Sequence, residues 1–158
     1  MNSQAESAVK KLARLPLNTV CANCGTVQRH GFSTVCIKYL TFVCNMCKTS
    51  HQAVSHRCKS LTMSSWTQGE VLQLKKHGND YARNVWLATA PTIGSGGRPK
   101  QGDDVNVFKR FVIKVYEEKK YYSEPDGNGN GNGNAKGNGN GNGNGNGNGN
   151  ANGNGNGN

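Results

Sequence analysis

The sequence predicts a small α+β domain, a short central β-sheet flanked by helices, followed by a disordered tail. Three observations predict it. Two capping boxes open segments with helical apolar spacing, β-branched and aromatic residues crowd the run from Gly31 to Val43, and two Cys-x-x-Cys pairs stand 19 residues apart. From Gly127 onward the chain is almost purely alternating Gly and Asn, with no apolar side chain to bury and maximal backbone entropy to lose. The domain is therefore residues 1–126 and the low-complexity tail 127–158, a tail whose composition specifies no partner.

The first helix opens with the capping box Ser3-Gln-Ala-Glu6, carries Ala5, Val9, Leu12 and Ala13 at helical spacing, and reaches about Leu15, where Pro16 ends it. GFSTVCIKYLTFV suits one or two short strands, and Lys59 to Met63 suits another. Thr67-Gln-Gly-Glu70 is a second capping box; its helix buries Val71 and Leu74 and stops at Gly78. Asn79 or Asp80 caps the next, which turns Ala82, Val85 and Trp86 inward and breaks before Pro91. Gly94, Gly96, Gly97 and Pro99 mark a flexible surface loop. A last helix starts at Asp103 or Asp104, with Val105, Phe108, Val112 and Val115 as its apolar stripe and Lys109, Arg110, Lys114, Lys119 and Lys120 as a solvated face.

Charge narrows the partners without choosing one. The chain holds 19 Lys and Arg against 9 Asp and Glu, and only Lys136 of these lies in the tail, which leaves the domain an excess of nine positive charges. Nucleic acid, an anionic membrane face and an acidic protein surface all fit that excess. No apolar run reaches the roughly 20 residues that span a bilayer, and MNSQAESAVKKLARL lacks the apolar centre of a secretory signal, so the expectation is a soluble cytoplasmic protein. In a reducing compartment the cysteine pairs read as metal ligands. Cys21, Cys24, Cys44 and Cys47 can present four thiolates to one tetrahedral Zn2+, a closed site that holds the fold and does no chemistry. Cys36 and Cys58 read as ordinary buried thiols, and His30 as solvent-facing.

Two knuckles at this separation occur in zinc ribbons, GATA-like and LIM-like fingers and ArfGAP domains, so the residues downstream of Cys47 decide. His51, Lys59-Ser60-Leu61, Trp66, Gly78-Asn79 and Trp86 follow in an order that resembles the ArfGAP family, over about Lys11 to Tyr122. SHRCKSLTM and FVIKVYEEKKYY look most like the plant ArfGAP-domain branch and its FG-repeat-containing animal relatives. The resemblance implies structural zinc, an Arf-type small GTPase as partner, and action near an anionic membrane by a monomer, peripheral to membranes. It also implies an arginine finger just after His51, at the position that Gln52 occupies here. Such a finger is worth about 10³ to 10⁵ in rate, or roughly 4–7 kcal/mol, and a neutral amide does not supply its charge. Arg57 is the nearest substitute, and His51, His56 and Lys59 would flank it on the GTPase-binding surface; His51, His56 and His77 otherwise read as structural. The expectation is thus a GTPase-activating domain, or a GTPase-binding pseudo-activator. The alternative, a nucleic-acid-binding zinc finger, is weakened because SLTMSSWTQGE carries almost no Lys or Arg.

Overall fold

The computed structural model describes residues 3–125; the Gly-Asn tail lies outside the described residues. The first helix, α1 (Ser3–Ala13), buries Ala5, Val9 and Ala13 at intervals of four. It stops two residues earlier than its apolar spacing suggests, because Pro16 opens a 3-10 turn, Pro16–Asn18, that redirects the chain toward the first knuckle.

Three short strands form the sheet: β1 (Thr34–Cys36), β2 (Thr41–Val43) and β3 (Cys58–Ser60). Their order is β2-β1-β3 and both pairings are antiparallel. The third strand starts one residue before the predicted Lys59 and ends at Ser60, whose hydroxyl accepts the amides of Thr62 and Met63 and so turns the chain out of the sheet. Alternation places Phe42, Val35 and Lys59 in one cross-strand row, while Thr41, Cys36 and Cys58 form a row on the other face. Val35 and Phe42 join Val9, Trp66, Val71 and Leu74 in the main core.

The helix α2 (Asn45–Ala53) is absent from the sequence-based reading. CNMCKTSHQA has no apolar period to betray it; the helix is set instead by Cys44, an N-cap whose Sγ accepts the amide of Cys47. Next come α3 (Gln68–Lys76), with the Thr67–Glu70 capping box formed in both directions, and α4 (Gly78–Asn84). Gly78 sits at φ +74° between them, a conformation open to glycine.

Asn79 is not the expected cap. Its buried carboxamide accepts the Phe42 amide at 2.7 Å and donates to the carbonyls of Phe42 and Val20, while its own amide donates to Asn18. One side chain thereby ties α4 to β2 and to the approach of the first knuckle. Trp86 lies past the end of α4 and is half-buried, whereas Leu87 is buried. Asp104 caps the last helix, α5 (Val105–Val112), which continues as a π turn, Ile113–Glu117. Phe108, Phe111, Val112, Val115 and Tyr116 are its buried face, and it packs on α2.

Candidate functional site

The first knuckle is a tight hairpin. Val20 and Val27 pair, Cys21 N–H donates to Thr26, Gly25 N–H returns to the Cys21 carbonyl, and Gly25 takes φ +77°. The second knuckle is the N-terminus of α2. These two segments bring the Sγ atoms of Cys21, Cys24, Cys44 and Cys47 within 4.8 Å of one another, all buried. Cys24 and Cys44 stand 3.6 Å apart. Four sulfurs at the usual Zn–S distance in a tetrahedron are separated by about 3.8 Å, so the cluster has the size and donor set of a zinc site.

The electrostatics point the same way. The four crowded thiols act on one another and split: Cys21 above all holds Cys24 and Cys44 below the ordinary thiol range, while Cys24 beside Cys21, and Cys21 beside Cys47, push those two well above it. Four sulfurs this close share protons unless a cation replaces them. The positive end of α2 lies at Cys44 and Cys47 and favours thiolate there.

A polar chain runs from this centre into the protein. Tyr116 O–H donates to Asn23 Oδ1 at 2.7 Å, Asn23 Nδ2 donates to His51 Nε2 at 3.2 Å, and His51 Nδ1 meets His56 Nδ1 at 2.9 Å. His56 Nε2 reaches the Glu117 carboxylate. Asn23 lies inside the first knuckle, and its backbone is gripped as well: Arg98 donates Nε to the Asn23 carbonyl at 3.0 Å, and its two terminal nitrogens to Ala22 and Pro91 at 2.9 Å. The loop expected to be flexible is thus fastened to the knuckle by its arginine. Tyr116, Asn23, Arg98 and Glu117 had no recognisable signal in sequence, because each acts through a partner far along the chain.

His51, His56 and Lys59, expected on the GTPase-binding surface, are instead buried in the domain. His51 and His56 are 0% and 1% exposed and bonded to each other. Lys59 is buried beneath Trp66, with Nζ bonded to the Ser65 carbonyl and the Glu70 carboxylate. Gln52 and Arg57, by contrast, are exposed. Gln52 stands on the last turn of α2 beside buried His51; Ser55 at φ +66° then turns the chain, and Arg57 follows as the sheet begins. Cys58 is half-buried, more open than expected. The helix that follows the second knuckle is α2 rather than SLTMSSWTQGE, and its only Lys or Arg is Lys48, so the basic recognition helix of a DNA-reading finger is missing.

Fold and site define a small α+β domain assembled on a four-cysteine centre, with one exposed helix end braced from beneath. Residues 6–125 match the family model described as "ArfGap: Putative GTPase activating protein for Arf", and the chain belongs to this family. It is 32% identical over 123 residues to the Arabidopsis thaliana "Probable ADP-ribosylation factor GTPase-activating protein AGD14", covering 78% of this chain and 18% of that protein. It is likewise 32% identical over 120 residues to the Homo sapiens "Arf-GAP domain and FG repeat-containing protein 1", covering 75% and 20%. The chain therefore spans about a fifth of the length of these curated relatives. Among solved structures, the "ArfGap domain of HIV-1 Rev binding protein" superposes with a TM-score of 0.67 at 29% identity, covering 77% of this chain and 90% of that one.

Proposed function

We propose that this domain engages the GTP-bound form of an Arf-type small GTPase through the exposed end of α2, and that Gln52 in place of an arginine leaves it a binding domain with little or no acceleration of hydrolysis. The carrying observation is the pair of exposed side chains on a braced backbone: Gln52 on the last turn of α2 and Arg57 just past the Ser55 turn. As the γ-phosphoryl transfers, negative charge spreads over its oxygens. Gln52 offers an amide N–H to that charge but no positive charge of its own. Arg57 is the nearest arginine in sequence, exposed and without a side-chain hydrogen bond or ion pair among the described residues.

One structural Zn2+ held by Cys21, Cys24, Cys44 and Cys47 is part of the same reading, with every coordination position taken by protein. The excess of nine positive charges in the domain supports approach by a cytoplasmic monomer to an anionic membrane face, where Arf-type GTPases of the family are engaged. No helix among the described residues is long and apolar enough to cross a membrane.

Single-turnover GTP hydrolysis by a membrane-bound Arf-type GTPase tests the proposal, with wild type, Gln52→Arg and Arg57→Ala side by side and binding measured in parallel. Binding by all three with acceleration only by Gln52→Arg is the expected result, a gain of up to about 10³-fold or more. Acceleration by wild type that vanishes in Arg57→Ala would move the finger to Arg57, and no binding by any of them would end the GTPase reading. Metal content is checked separately: one zinc per chain, with unfolding on chelation.

A further inference from the structure

The zinc reading leaves two thiols unused, and the sheet brings them together. Cys36 on β1 and Cys58 on β3 are direct cross-strand partners. The hydrogen bonds around them settle the kind of pair. Ile37 N–H donates to Arg57 and Leu61 N–H to Ser33, so the hydrogen-bonded positions of this ladder are 33 with 61, 35 with 59 and 37 with 57. Cys36 and Cys58 fall between them, at a non-hydrogen-bonded position, where Cα atoms approach to about 4.5 Å and side chains on one face are closest. That spacing lies inside the range that a disulfide spans. Both are free thiols in the structure.

We propose that Cys36 and Cys58 are a redox-modification site, a thiol pair that peroxide converts to a reversible cross-strand disulfide while the zinc cysteines stay reduced. Access selects the first sulfur. Cys58 is half-buried, whereas Cys36 and the four clustered cysteines are buried. Cys58 attacks peroxide and becomes a sulfenic acid with release of one water; Cys36 then attacks the Cys58 sulfur, and the sulfenic oxygen leaves with both remaining protons as a second water. Two sulfurs lose one electron each and peroxide takes both. The second step is intramolecular, because strand pairing holds Cys36 directly opposite Cys58 on the same face of the sheet.

The bond would close a loop over residues 37–57, which holds α2, Gln52 and Arg57. It would also remove the S–H that Cys58 donates to the His56 carbonyl at 3.7 Å. Oxidation therefore acts on the segment that carries the exposed end of α2. The site itself stands whether or not that segment meets a GTPase.

Peptide mapping of the full-length zinc-loaded protein after graded hydrogen peroxide tests the inference. Trypsin cuts after Arg29, Lys38, Arg57 and Lys59, so Cys36 and Cys58 fall on separate peptides that contain none of the clustered cysteines. The expected result is a linked species of 30–38 with 58–59, formed before a chromogenic chelator detects zinc release, reversed by dithiothreitol, and accompanied by the loss of two alkylatable thiols per chain. Cys58→Ser, at a half-buried position, should abolish it, and Lys76→Ala, on the exposed face of α3, should leave it intact. Zinc release while Cys36 and Cys58 remain alkylatable would overturn the proposal. So would Cys58 oxidised alone beside a free Cys36.

Discussion

His51 and His56 meet Nδ1 to Nδ1 at 2.9 Å beneath the last turn of α2, so one of the two nitrogens must carry the proton and the other must accept it. Their outer partners decide which. Asn23 donates to His51 Nε2, which leaves the His51 proton on Nδ1; His56 then accepts at Nδ1 and donates from Nε2 to Glu117. From Tyr116 to Glu117 every bond runs in one direction.

Long-range proton–nitrogen correlation spectra at neutral pH should therefore find His51 as the Nδ1–H tautomer and His56 as the Nε2–H tautomer. Tyr116→Phe removes the first donor and leaves Asn23 Oδ1 buried without it, which should cost about 1–2 kcal/mol in urea unfolding. An unchanged midpoint would mean that the chain contributes nothing to stability.

Asn79→Ala should be among the more damaging single changes. It strips partners from the Phe42 amide and from the Phe42 and Val20 carbonyls, so the expected loss is about 2–4 kcal/mol by thermal or urea unfolding. Asn79→Asp keeps the acceptor and loses the two donations, and should fall between.

Arg98→Lys tests geometry with charge held constant. A single ammonium cannot reach Asn23, Ala22 and Pro91 together as the guanidinium fork does, and the change should cost about 1–3 kcal/mol. Because two of those carbonyls belong to the first knuckle, zinc affinity measured by chelator competition should fall as well.

Acid should remove the contribution of Glu70. Burial pushes its carboxyl up, but the Lys59 ammonium and the Thr67 amide more than offset this and hold it below the ordinary carboxylate range. A depressed folded-state value gives stability that is fully present above the unfolded pKa, about 4.3, and is lost as pH falls through the lower folded value. Glu70→Gln should lower stability at pH 7 by about 1–2 kcal/mol and flatten the stability profile below about pH 4.5, read by unfolding midpoints across pH.

The metal cluster was legible in sequence because its ligands lie in two local spacings. The second capping box was legible for the same reason, and Thr67 with Glu70 forms in both directions. What sequence concealed was reach. Helix α2 has no apolar stripe, since one end is set by metal ligands and its buried residues include Ser50 and His51. Motif position placed His51, His56 and Lys59 near an interaction surface, but their side chains point into the protein, whereas Gln52 and Arg57 of that stretch are exposed. Arg98 sits in a Gly-rich stretch whose composition reads as slack, and its hold on residues 75 and 76 positions back has no local signature.

The first knuckle is the earliest part of the metal centre to leave the ribosome and the last to be completed. Its backbone carbonyls wait for Arg98, and Asn23 waits for Tyr116, 93 residues on. Contacts of such separation are closed late and slowly. During synthesis the four cysteines are all available well before the groups that lock them in place, so a nascent chain passes through an interval in which zinc can bind but the domain cannot yet seal it.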